Sequence, residues 1–545
     1  MTRTELRSLV PLFLLMVCVS PTLAIAAPQD ESQADSPGLL KPLVDHFRVS
    51  NDCALCHSQS PRANAMRNAM GDDVSPYGLW SATMMGNAFR DPYFQAQMQK
   101  ETLTRGEAVQ VLCLRCHTPM AYHHRVMNGE KPPRLADLFD DRLAQDGVSC
   151  TMCHQITAEG LGEERTFSGR PVMGKERKIF GPFENPATGP MRMHVKYTPT
   201  HAPHVQTSAL CATCHTLSTA HAGKVFPEQS PYLEWRNSEF NDEQGATATS
   251  KTCQQCHMPK TGPTRMARNP AGVDFLIDVR EDFRAHAFVG GNSFMLDLLR
   301  ENRDQLGVTA EPAALARMAA ASRRQLGEDT VKMSIRDAEV EEGVLTFDTV
   351  IENLTGHKFP TGYPSRRAWL RVQVRRGRQV LFETGAYDDE GRILYVRDEL
   401  AQPHRSRVEK PSDVVIYEMV AEDPEGKPTT HLTKMTRKHK DNRLLPRGWR
   451  RNGPHLDETA PVGLGNDVDF VDGRDKVHFH VPIEGDGNGI RIVAWLYYQS
   501  VPPAWVDALR DVDAEACRDF VKMYDAASKA PETVAVVAQF VQASK

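Results

Sequence analysis

The chain has 545 residues, 25% of them charged and 40% apolar, with a formal net charge of −5. That length predicts more than one domain. The near balance of charge argues against a broad basic surface, so no nucleic-acid partner is expected.

The first expected element in chain order is an export signal over residues 1–26. Arg3 and Arg7 precede the apolar stretch Leu9–Val19, and Ala24-Ile25-Ala26 fits small-residue cleavage. The apolar run is shorter than the ~20 residues of a membrane helix. No later stretch is long enough, so no transmembrane span is expected after cleavage. Cys18 also admits a lipid anchor, although Val17 before it is larger than such a cleavage site favours. Residues 27–45 are polar, with Pro, Ser, Asp and Gln, and read as a flexible lead-in.

Residues 46–290 carry the chemistry. Cys-x-x-Cys-His occurs five times: Cys53, Cys56 and His57; Cys113, Cys116 and His117; Cys150, Cys153 and His154; Cys211, Cys214 and His215; Cys253, Cys256 and His257. Random placement of 12 Cys and 20 His in 545 residues gives roughly 0.01 copies. The pattern is the attachment site of a c-type haem, with two thioether bonds from the cysteines and an iron ligand from the adjacent histidine. Zinc sites do not require a histidine after every second cysteine. A thioredoxin-like redox pair would occur once, beside a βαβ unit. Five covalently attached haem c groups are therefore expected.

Cysteine use fits an exported chain of a bacterial periplasm or cell surface. Of the 12 cysteines, Cys18 falls in the signal, ten in the motifs, and Cys517 stands alone, so no pair remains for a disulfide. Successive motifs begin 60, 37, 61 and 42 residues apart, an alternation that hints at duplicated two-haem units. Gly- and Pro-rich stretches such as Phe180–Pro190 read as loops. The expected fold here is α-rich, loop-rich and cored by haem.

Residues 291–330 read as a helical connector. Asn292 or Ser293 would cap a helix from Phe294, Gly307 would follow its end, and Ala310–Leu326 would form a second. The pattern then alternates. Val331–Ile335, Val344–Ile351, Trp369–Val374, Val380–Thr384, Val414–Val420, Val477–Val481 and Ile490–Tyr498 read as strands, with a hairpin at Arg376-Gly377. Residues 331–500 are thus expected as a β-sandwich-like domain, followed by a helical tail over 501–545.

Each attachment site has a sixth iron position, and what fills it decides the function. A second histidine closes the iron, methionine raises its potential, and an open position admits substrate. Fifteen histidines lie outside the motifs. His123 and His124 follow the second motif closely. His194 and His204 approach the fourth, and His286 precedes a helix start. His357 stands in the Gly/Pro loop Gly356-His-Lys-Phe-Pro-Thr-Gly-Tyr-Pro364, from which it would reach the haem-binding half. Met84 and Met85 fit core packing better than ligation.

Asp146-Gly-Val-Ser-Cys-Thr-Met-Cys-His154, Cys253-Gln-Gln-Cys-His-Met-Pro259 and Pro231-Tyr-Leu-Glu-Trp235 resemble the exported multihaem cytochromes related to the tetrahaem cytochrome of ammonia oxidisers, within the wider hydroxylamine-oxidoreductase-like superfamily. Gly356–Pro364 and Asn442-Arg-Leu-Leu-Pro-Arg-Gly448 resemble the C-terminal half of its larger members. The resemblance implies closely stacked haems, mostly bis-histidine, and admits an occasional five-coordinate one. A Lys following a Cys-x-x-Cys pair, the mark of pentahaem nitrite reductase, does not occur. Three functions compete. One is electron relay with redox partner proteins, such as a membrane quinol-oxidising complex or other cytochromes. The second is a reductase or oxidase of a small nitrogen or sulfur compound, and the third a docking module of a surface conduit.

Overall fold

A computed structural model describes residues 46–541 apart from Ala222. The expected signal, the lead-in and Cys18 lie outside the described residues. No described helix is long and apolar enough to cross a membrane.

The motif-bearing half consists of short helices joined by loops. Four carry motif cysteines and their histidines or end beside them: Ser50–His57, Gln110–His117, Cys150–Cys153 and Cys253–His257. Ser208–Ala212 carries Cys211, and the bond from the His215 amide to the Cys211 carbonyl (2.9 Å) extends its turn. Residues three and four apart share one helix face, so each turn presents both cysteines and the histidine together. Two small ladders complete this half. Strands β1 (Lys178–Gly181) and β2 (Thr198–His201) run parallel, while β3 (Leu217–His221) and β4 (Lys224–Gln229) run antiparallel.

The connector forms helices Ser293–Glu301 and Pro312–Glu328. Asn292 occupies the N-cap position without capping; its Oδ1 accepts from Arg366 at 3.2 Å.

Beyond it lie β5 (Val331–Glu341), β6 (Val344–Asn353), β7 (Arg367–Arg376), β8 (Gln379–Thr384), β9 (Arg407–Val408), β10 (Val415–Glu422), β11 (Pro428–Thr429), β12 (Arg437–Asp441), β13 (Arg474–Pro482) and β14 (Ile490–Gln499). The strand β15 (Glu532–Phe540) follows helices Pro503–Arg510 and Glu515–Ala526. One sheet has the order β5-β6-β13-β9; the other has β11-β10-β7-β14-β15, with β12 on β10 and β8 on β7. Two of the hairpin turns follow from backbone sign: Glu342-Gly343 (φ 48° and 78°) closes β5–β6, and Gly377 (φ 59°) closes β7–β8. Alternate residues of both sheets enter one apolar cluster, including Leu345, Phe347, Val477 and Phe479 from one sheet and Leu370, Val372, Ile492 and Leu496 from the other.

The tail corrects a sequence expectation. It is helical only to Ala526, and β15 then pairs antiparallel with β14. Thr533, Val534, Val536 and Val537 are β-branched, and Val534 is buried in the shared cluster, which favours a strand over a helix.

The described residues pack as one unit. Helix Pro92–Arg105 joins the halves. Lys100 Nζ donates to Thr430 Oγ1 (2.9 Å), and the Glu101 carboxylate accepts from the amides of Leu432 (2.9 Å) and Thr433 (3.2 Å).

Candidate haem-binding sites

The ten motif cysteines are free thiols, none in a disulfide. Among the described residues no cluster of three or more His, Cys, Asp or Glu is placed to hold a metal ion.

The folded chain brings the motifs together out of sequence order. Cys53 of the first interacts through its side chain with Cys150 of the third. Cys116 of the second meets Cys214 of the fourth, and Cys211 of the fourth meets Cys253 of the fifth. Cys153 of the third also lies within electrostatic reach of Cys214. The fourth motif is therefore a hub beside the second, third and fifth, and the first is reached through the third.

Four motif histidines are oriented by the same device. Their Nδ1–H groups donate to backbone carbonyls: His57 to Met266 (2.9 Å), His117 to Ala88 (3.1 Å), His154 to Phe180 (2.6 Å) and His257 to Val289 (2.6 Å). That bond fixes the tautomer and leaves Nε2 with the lone pair a metal requires. Phe94 stacks face to face on His117, with centroids 3.7 Å apart and planes within 2°. Burial pushes the histidines toward the neutral form. It takes His117 and His215 down to about 4, and it lowers His57, His154 and His257. A neutral imidazole is the ligating form.

Two motif histidines face a histidine from elsewhere in the chain. The His154 and His286 rings are 6.2 Å apart with planes at 26°; those of His257 and His357 are 6.1 Å apart at 15°. A metal bonded at about 2 Å to two imidazoles on opposite sides would separate their centroids by about 6 Å. Burial takes His286 down to about 3 and lowers His357. Buried His286 Nδ1 has no hydrogen-bond partner, whereas His357 Nδ1–H donates to the Lys358 carbonyl at 2.9 Å.

The other expected ligands are placed differently. On helix Pro119–Met127, His123 is buried with its Nε2 unpartnered, and burial pushes it down to about 4. His124 faces His46, with centroids 6.1 Å apart and planes at 70°. His46, at the edge of the polar lead-in and seven residues before Cys53, is a residue that sequence reasoning missed. His204 Nε2–H donates to the Ile156 carbonyl at 2.8 Å, which leaves its Nδ1 as the ring lone pair. His194 ends helix Thr188–His194 exposed to solvent, and the fold sets no motif histidine opposite it. Met84 packs into apolar clusters, as a core residue does.

These residues fit haem c: paired thiols and a histidine on one helical turn, neutral imidazoles, and buried ring nitrogens without protein partners. No protein-family model matches the chain, and no characterised protein in the sequence comparison matches it. Among solved structures, a penta-heme cytochrome c552 from Thermochromatium tepidum aligns at 17% identity over 91% of this chain and 99% of its own, with a TM-score of 0.53. HBP35 of Porphyromonas gingivalis aligns at 8% identity over 43% and 48%, with a TM-score of 0.14, and carries no argument. The chain is thus similar in fold to a pentahaem cytochrome.

Proposed function

We propose that this chain is an exported pentahaem c-type cytochrome that relays electrons between redox partner proteins in the cell envelope. Its irons are closed mostly by two histidines, and its strand-rich half is a β-sandwich-like domain. The observation that carries this reading is the pairing of His154 with His286 and His257 with His357 at the separation a shared metal requires. Haem c, when bound, supplies one-electron exchange.

The chain's own residues supply the rest. Thiols on each motif turn hold the group, and carbonyls of Met266, Ala88, Phe180 and Val289 fix the imidazole tautomers. His286 and His357 would serve as second ligands at the third and fifth motifs and would exclude small molecules there. The hub at the fourth motif makes neighbours of sites far apart in sequence. A quinol-oxidising membrane complex or another cytochrome suits such a protein as partner.

The reduced protein is expected to be reoxidised quickly by a redox partner protein and slowly by nitrite, hydroxylamine or tetrathionate. Sustained multiple-turnover reduction of one of these, with a high-spin signal that shifts as it binds, overturns the relay and makes the chain a reductase.

A further inference from the structure

Three stretches set apart in the sequence, Pro231–Trp235, Gly356–Pro364 and Asn442–Gly448, meet in the fold. Their meeting point is an ionic network whose centre is buried. Asp441 accepts from Arg443 Nε (2.7 Å) and Nη2 (2.9 Å) and from Lys358 Nζ (2.7 Å), with Lys438 Nζ 3.1 Å away. Arg443 Nη2 also stands 3.1 Å from Glu234 Oε1. The other Glu234 oxygen accepts from the Lys358 backbone amide (3.0 Å) and from Thr361 Oγ1 (2.6 Å). Lys358, Asp441 and Glu234 have no exposed side-chain surface.

The network brackets His357. Asn353 Nδ2 and Thr355 Oγ1 both donate to the His357 carbonyl at 2.8 Å, and Glu234 holds the next amide. The peptide on the C-terminal side of the histidine is thus pinned through both its oxygen and its nitrogen. Gly356, on the other side, presses on the motif-bearing half: a β-carbon there would come within 3.0 Å of Trp235 and 3.1 Å of Phe240. A buried ion pair is weak evidence for stability, since apolar residues often serve as well, and fixing one geometry is its better-supported use.

We propose that Glu234, Asp441 and Arg443 are positioning residues: they lock the loop so that the His357 imidazole faces His257. This rests on the reading of His357 as the distal ligand of the fifth motif. Glu234 reaches the loop from the helix Pro231–Arg236, so the motif-bearing half itself sets the ligand that the strand-rich half supplies. The role is indirect, since the ring nitrogens of His257 and His357 bond to Val289, Thr355 and Lys358 and to none of the three.

The test uses the ferric, fully loaded protein, with haem content, low-temperature EPR and the midpoint potential of each haem as readouts. His357→Ala is the control and should turn one haem of the five high-spin. An unchanged spectrum there removes the ligand reading itself. With that control positive, Glu234→Ala should give a high-spin fraction confined to the same haem and shift only its potential. Added imidazole should restore low spin. Glu234→Gln keeps an oxygen acceptor for the Lys358 amide and Thr361, and should stay closer to the unaltered protein. If Glu234→Ala fails to accumulate, Thr361→Val and Gly356→Ala ask the same question with every charge in place, and should broaden the EPR signal of that haem. Five low-spin haems with unaltered EPR signals and potentials in all folded variants would overturn the proposal while leaving the ligand reading intact.

Discussion

From Leu326 to Val541, thirty buried apolar residues form one cluster between two sheets, whereas the apolar clusters that include motif-bearing helices hold five to seven each. The strand-rich half gathers its buried apolar side chains in one cluster, whereas those beside the motifs are divided among smaller ones. A haem c is a large apolar plate that such side chains pack against. On the proposed reading, one half brings its core in its sequence, and the other would complete its core with haem.

The largest expected break in that contrast is at the hub. Cys211→Ser with Cys214→Ser removes both tethers at the fourth motif, which adjoins three others. Hydrogen exchange should show protection lost across residues 46–290 and retained in β6, β7, β13 and β14. Equal loss in both halves would contradict the contrast.

A smaller effect is expected in the sheets. Leu345 is fully buried in the shared cluster, so Leu345→Ala should cost about 2–5 kcal/mol in denaturant unfolding. The haem spectra should not change. A shift in those spectra would mean that the two halves share their packing more than the clusters indicate.

The smallest effect concerns pH. Burial opposes protonation of His478, but the Asp469 and Asp348 carboxylates outweigh it and raise its pKa. A raised folded value stabilises fully below the unfolded pKa of about 6.5 and is lost as pH rises through the folded pKa. His478→Asn should therefore lower Tm at about pH 5 and leave it nearly unchanged at about pH 9. Equal lowering at both would remove the charge as the cause.

The five motifs were legible because thioether chemistry demands adjacent residue types whatever the fold. The long strands were legible from alternation, as in Val477-His-Phe-His-Val481. Strand β12 was not: its residues, Arg437-Lys-His-Lys-Asp441, are polar throughout, and Lys440 and Asp441 are buried as ion pairs rather than as apolar side chains. Strand β15 was hidden by alanines within a tail whose earlier part is helical. The order of the motifs was out of reach, because the neighbours Cys53 and Cys150 are set by long-range packing. For the same reason, the spacing that hinted at paired units did not anticipate the first motif beside the third. His46 was within reach, since it stands seven residues before the first motif, as His123 stands six after the second; His357 was marked by the rigid loop around it.

The functional reading depends on five covalently held haems. Intact-mass spectrometry of the matured protein tests that directly, with acid–acetone extraction of the same sample. The account predicts a mass carrying five haem c groups, none of them extracted. Four or fewer on fully matured protein, or haem lost to the acid–acetone, would contradict it.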